Sequence, residues 1–140
     1  MVIKKSDKFL LDSDISIWIL RKKTSIADAV IKTIREKTAG VSILTVSEIY
    51  KGGREQEEKI YSEFFNFHSI FPIEFKIAKH AGEYWKKYKH VNNNIVDYLI
   101  ASTCKYFKLT LLTLNTKHFP MKDIKVINPL ENLNVNLSPI

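Results

Sequence analysis

The sequence predicts an α/β domain built on a mainly parallel sheet, and three observations lead there. Short, β-branched apolar runs alternate with longer amphipathic stretches along the chain. The runs are apolar almost throughout, as in strands buried on both faces, rather than alternating apolar with polar. At 140 residues, 45% of them hydrophobic and 26% charged, the chain is long enough for one domain with a sizeable core.

The elements follow in order. "KFLL" (8–11) ends at an acid and reads as the first strand. "ISIWILR" comes next, and the polar "DSD" before it offers N-cap chemistry, so a helix is expected. "SIADAVIKTIREKTAG" predicts a second helix, capped by Ser25, with Ile26, Ala27, Val30, Ile31 and Ile34 on one face and Gly40 as its stop. "VSIL" (41–44) reads as the second strand, and "TVSEIYKGG" as a short helix ended by Gly52 and Gly53. "EQEEKIYSEFFNF" is amphipathic, "SIFPIE" carries a third strand, and "FKIAKHAGEYWKKYKH" a long helix. "NNNIVDYLIASTCKYF" is a further helix with an asparagine cap, followed by strands in "TLLTL" and "IKVINP". The sheet is therefore expected to have roughly five strands, with helices on both faces. The domain is expected over residues 1–129, followed by a loosely held tail at 130–140.

Composition narrows the function. There are 22 Lys and Arg against 15 Asp and Glu, a formal charge of +7, which favours polyanionic partners without bearing on fold. A single cysteine, Cys104, excludes an intrachain disulfide framework, and its apolar setting marks a small buried hydrophobe rather than a nucleophile. No run is long enough to span a bilayer. Two aspartates interrupt the only stretch that resembles a signal sequence, so a cytoplasmic protein is expected.

Those two aspartates are the chemical signal. "FLLDSDISIWIL" (9–20) sets Asp12 and Asp14 inside an apolar run, where an ionised carboxylate costs several kcal/mol unless paired, hydrogen-bonded or metal-bound. In sheets of this kind ligands gather beyond the carboxyl ends of the strands. Asp12 closes the first strand, Glu48 follows the second by one helical turn, and the helix carrying Asp97 should start near the far end of the fourth strand, beside Asn115. Each acid also has a purely local explanation. Asp12 or Ser13 can cap a helix, "TVSE" fits a capping box in which Glu48 reaches back to Thr45, with Lys51 one turn on as an ion partner, and Asp97 suits the positive end of a helix dipole. Against these stands the lack of basic partners one turn after Asp12 or Asp97, where Ser16 and Ala101 sit. Unpartnered acids meeting at one edge need a shared cation or must take up a proton, and oxygen ligands suit Mg2+ or Mn2+.

The order of these motifs resembles the PIN-domain ribonucleases, in particular VapC-type toxins of toxin–antitoxin pairs. "FLLDSDISIWILR", "SILTVSEIYKG", "DYLIAST" and "LLTLNTKHF" match the family's four motifs, placing Asp12, Glu48, Asp97 and Asn115 at its acidic positions. The resemblance implies a PIN-like α/β/α sandwich and a divalent-metal-dependent endoribonuclease. Asp12 and Asp97 would bind Mg2+ or Mn2+ directly, and Glu48 directly or through water. Asn115 is uncharged where members carry Asp or Asn, Asp14 stands where Asn or Ser is common, and Ser13 is a further secondary candidate. The resemblance also implies an RNA substrate, a cognate antitoxin seated near the first two helices and residues 48–61, and a homodimer. The lysines of "RKK" (21–23) and "KKYK" (86–89) are candidates for RNA backbone contacts, or else ordinary solvated helix ends. His68, His80 and His90 read as surface residues, and His118 as a phosphate contact or a packing residue. The aromatics of 60–67 and 84–88 read as core. The competing readings are a catalytically inactive PIN-like nucleic-acid or protein-binding module, a DNA or flap nuclease of the same fold, and a receiver-like phosphoacceptor.

Overall fold

The computed structural model describes residues 3–131. Five strands, β1 (Asp7–Leu11), β2 (Thr38–Ser42), β3 (Ser69–Phe71), β4 (Thr110–Leu112) and β5 (Val126–Ile127), form one sheet. Their order is β3-β2-β1-β4-β5 and every pairing is parallel. The helices are α1 (Ser13–Leu20), α2 (Thr24–Ile34), α3 (Ile43–Lys51), α4 (Glu58–Phe67), α5 (Phe75–Tyr88) and α6 (Ile95–Phe107). Successive side chains of a strand point to opposite faces, and the core divides accordingly. Leu10 and Leu111 join Tyr84, Tyr98, Ile100 and Cys104 on the α5–α6 face. Leu11 and Leu112 join Ile15, Ile26, Val30, Ile49 and Phe64 on the face covered by α1–α4. The expected α/β/α sandwich is thus the observed one. Among the described residues, no helix is long and apolar enough to cross a membrane.

Several local expectations are corrected. Ser25 lies inside α2, whose N-cap is Lys23, and the helix ends at Arg35, where a φ of 55° turns the chain. Gly40 is therefore not a helix stop but a residue of β2. The reason is steric: a Cβ there would meet the Phe71 ring at 2.4 Å and the Ser69 carbonyl at 2.7 Å. The second strand lies earlier than "VSIL", because Ser42 ends it and caps α3 by accepting from the Leu44 N–H at 3.1 Å. Phe64 and Phe65 are core, whereas Phe67 is 76% exposed. Pro129–Glu131 form a helical turn, and Leu130 packs on the α1–α4 side; the remainder of the expected tail, 132–140, lies outside the described residues.

Candidate active site

The strand order reverses at β1, with β2 on one side and β4 on the other. The connections leaving β1 and β4 part there and open a crevice at their carboxyl ends. Asp12 is the first residue beyond β1, and its backbone N–H is tied to the Leu112 carbonyl at 2.9 Å. It is also the N-cap of α1, with Oδ1 accepting from the Ser13 N–H at 2.8 Å. The local explanation is therefore correct but incomplete, because Oδ2 instead accepts from the Thr113 hydroxyl at 2.9 Å.

Asp14 lies alongside. Its Oδ1 accepts from the Ile15 N–H at 2.7 Å, and its Oδ2 from the Leu114 N–H at 3.0 Å and Asn115 Nδ2 at 3.2 Å. The Thr113 oxygen is 3.4 Å from the same Asp14 atom. A hydroxyl has one proton, so Thr113 serves one carboxylate at a time, and its shorter contact favours Asp12. Thr113 is wholly buried, which holds the two acids on either side of it.

Asp97, in the first turn of α6, enters from the opposite layer with its side chain 15% exposed. Asn92 Nδ2 donates to its Oδ2 at 2.8 Å, and His118 Nδ1 lies 3.4 Å from the same oxygen. Glu48 stands apart from this group. Its Oε1 accepts from the Ser13 hydroxyl at 2.7 Å, and Thr45 Oγ1 lies 2.9 Å from Ser13 Oγ. With the Ser13 proton on Glu48, Thr45 must be the donor in the second bond. The capping box expected around Glu48 does not form: Ser42 caps the helix, and Lys51 makes no ion pair with Glu48.

The electrostatics follow from burial and like charge. Burial, then the neighbouring Asp14 and the more distant Asp97, push the Asp12 carboxyl up to about 7, against the hydrogen bonds from Thr113 and Ser13. Asp14 is also raised, by burial first and with Asp97 contributing, despite its donors. Among the described residues, no Lys or Arg forms an ion pair with Asp12, Asp14, Glu48 or Asp97. This is a pocket of oxygen donors with excess negative charge. Among those residues, no group of three or more acidic, His or Cys side chains is placed to hold a metal ion. Oxygen donors of this kind suit a hard divalent ion that keeps several waters and takes only one or two carboxylates together with substrate phosphates.

Asp12, Asp14 and Asn115 thus meet around Thr113, Asp97 lies near enough to act on both aspartates by charge, Ser13 is the link that attaches Glu48, and Thr113, Asn92 and Thr45 are functional candidates that the sequence reading lacks. Thr113 had a faint signal as a polar residue ending an apolar run; Asn92 had none. His118 belongs to the site, whereas His68 and His80 are partly buried rather than surface residues. The His68 ring packs 4.4 Å from that of Phe64, and burial lowers its pKa. Arg21 and Lys23 lie over Trp18, each 5.7 Å from the ring centroid, Lys87 over Tyr88 and Lys89 over Trp85. Cys104 is buried with its thiol pushed up by burial, as befits a core residue.

Comparison with known proteins shows the family and the fold. The family model of the PIN domain matches residues 9–125. Ribonuclease VapC10 of Mycobacterium tuberculosis is 32% identical over 114 residues, covering 80% of this chain and 86% of the relative. Ribonuclease VapC19 of the same organism is 31% identical over 115 residues, covering 80% and 92%. The fold is shared with a toxin–antitoxin complex from Klebsiella pneumoniae (TM-score 0.75, 22% identity, 87% of this chain and 98% of that one). It is shared too with a DNA-bound VapBC from Salmonella typhimurium (TM-score 0.72, 19% identity, 86% and 97%). The chain belongs to the PIN-domain family and is a homologue of the mycobacterial VapC ribonucleases.

Proposed function

We propose that the chain is the ribonuclease toxin of a toxin–antitoxin pair, an endoribonuclease that hydrolyses RNA phosphodiester bonds with Mg2+ or Mn2+. The family membership supports the reaction class, and one observation supports the site: Asp12, Asp14 and Asp97 act on one another by charge, among the described residues no Lys or Arg pairs with them, and Asp12 is held near 7. Asp12 and Asp97 would hold the ion directly. Glu48 would reach it directly or through water, with Asp14, Asn115 and Ser13 as supporting contacts. A divalent ion bound there supplies Lewis acidity at the phosphate and acidifies a water.

The residues themselves have definite tasks. Glu48 uses Oε1 for Ser13, so Oε2 is its oxygen for orienting or deprotonating the attacking water. The water oxygen bonds to phosphorus, the bond from phosphorus to the 3′-oxygen breaks, and a proton passes to that oxygen. The products are a 5′-phosphate and a 3′-hydroxyl. Thr113 holds Asp12 and Asp14 apart, and Asn115 holds Asp14 turned toward the β4 loop.

An antitoxin segment fits the apolar groove of 540 Å³ between α1–α2 and α4, lined by Ile19, Leu20, Val30, Ile31, Ile60 and Phe67. Ile31 is 62% exposed and Phe67 76%, which supports a covering partner. A homodimer, a cytoplasmic setting, and residues 1–129 as the catalytic unit with 130–140 appended complete the proposal. Incubating purified protein with RNA, with and without Mg2+, tests it. Metal-dependent cleavage leaving 5′-phosphate ends, lost in Asp97→Asn, is expected; RNA binding without cleavage at any metal concentration would point to an inactive PIN module.

A further inference from the structure

Asn92 lies in the turn between α5 and α6, with every polar atom of its side chain committed. Nδ2 donates to Asp97 Oδ2 at 2.8 Å and to the His118 carbonyl at 3.1 Å, while Oδ1 accepts from the Asn94 N–H at 3.0 Å. These partners determine the amide's orientation. Flipped, its oxygen would face two acceptors and its nitrogen a donor. The backbone is held as firmly. The Asn92 N–H donates to the Tyr88 carbonyl at 3.2 Å, and its carbonyl accepts from the hydroxyl of Tyr98, a residue with no exposed surface. Asn94 in turn caps α6, accepting from the Val96 N–H at 3.0 Å.

The consequence falls on Asp97. Its Oδ2 accepts from Asn92 at 2.8 Å, with His118 Nδ1 farther off at 3.4 Å, whereas Oδ1 has no protein partner among the described residues. The donor is also neutral. A Lys or Arg in its place would hold the carboxylate equally well but would cancel the charge a cation needs. The same amide ties the start of α6 to the 3₁₀ turn Thr116–His118, next to Asn115.

On the reading that the acid pocket binds a divalent ion, we infer that Asn92 is a positioning residue that orients Asp97 as a single-oxygen ligand, presenting Oδ1 while retaining Oδ2. Groups that orient a ligand in this way typically contribute about 10–100-fold in metal affinity.

Asn92→Ser removes the two Nδ2 bonds, to Asp97 and to the His118 carbonyl, and keeps the third. A serine hydroxyl accepts from the N–H two residues on, preserving the turn to Asn94, but is too short to reach Asp97. Tyr98→Phe is the complementary control, since it removes a bond to the same loop without touching the acid. Mn2+ affinity, measured by calorimetry on metal-free wild type and both variants, is read beside their melting temperatures. Asn92→Ser is expected to lose about 10–100-fold in Mn2+ affinity, with Tyr98→Phe melting lower but binding Mn2+ as wild type does. Equal affinity in wild type and Asn92→Ser overturns the role of Asn92. Matching losses in both variants also overturn it, because they would mark a general loosening of the loop. Wild type failing to bind Mn2+ at all would instead strike the metal-site reading itself. Should Asn92→Ser not fold, Asn92→Ala with the same two readouts decides by the same criteria.

Discussion

Strand β1 has an aspartate at each end, and the fold treats the two in opposite ways. Asp7, at the amino end, is 6% exposed and receives the Ser69 and Thr38 hydroxyls, both at 2.6 Å, and the Lys4 N–H at 2.7 Å. Burial pushes its pKa up, but these donors outweigh burial and leave it below the usual value. Asp12, just past the carboxyl end, has the Ser13 N–H and the Thr113 hydroxyl and faces two other acids, and it rises to about 7. Burial alone does not set the charge of a carboxylate. The number of donors and the sign of the neighbours decide it. Asp7 fastens β1 to β2 and β3, and so serves the fold. The surroundings of Asp12 instead leave like charges facing one another, the arrangement from which a cation site is proposed.

The largest contrast is expected on exchanging Asp12. Asp12→Asn should lower RNA cleavage by about a thousandfold or more, ~4 kcal/mol of transition-state stabilisation, while the metal-free protein melts no lower than wild type. Initial rates and thermal melts on one preparation check both halves. Asp7→Ala should do the reverse. Withdrawing a charged acceptor from its donors should cost about 3 kcal/mol of stability, with cleavage per folded molecule unchanged, as read by urea titration and rates below the transition.

The comparison also has a pH signature. Asp12 is raised from 3.8 to about 7, so between those values the folded state binds more protons than the unfolded one. Its favourable contribution is fully present below the unfolded pKa and is lost as pH rises toward about 7. Asp7 is depressed, so its contribution is present above its unfolded pKa and is lost as pH falls through the folded one. The melting temperature of metal-free protein should therefore decline as pH rises from 3.8 to about 7, and Asp12→Asn should flatten that limb only. Asp7→Asn should flatten the acid limb only. The smallest effect is expected from Thr113→Val, which removes the hydroxyl between Asp12 and Asp14. A loss of about tenfold in rate, with little change in melting temperature, is the expected result; wild-type rates would show that Thr113 does not orient the acids.

Much of this architecture was legible because apolar runs report burial directly. Strands flanking Leu10, Leu11, Leu111 and Leu112 appear as unbroken apolar segments, since both faces of the sheet are covered. Asp12 and Asp97 stood out because each lacked a basic neighbour one turn away. What escaped notice depended on contacts distant in sequence. Gly40 looks like a helix stop until Phe71, 31 residues later, is seen lying over it. Glu48 satisfies a capping pattern, yet Ser13, 35 residues earlier, takes its carboxylate. Asn92 sits in a run of three asparagines in which nothing local distinguishes the one that reaches Asp97.

The proposed cation pocket is tested most directly by following the Asp12 carboxyl carbon in an NMR pH titration, without and with saturating Mg2+. The metal-free protein should show Asp12 titrating near 7, and bound Mg2+ should move that transition below the ordinary aspartate range. A carboxyl that titrates near 3.8 and ignores Mg2+ would contradict a metal-binding role for this pocket.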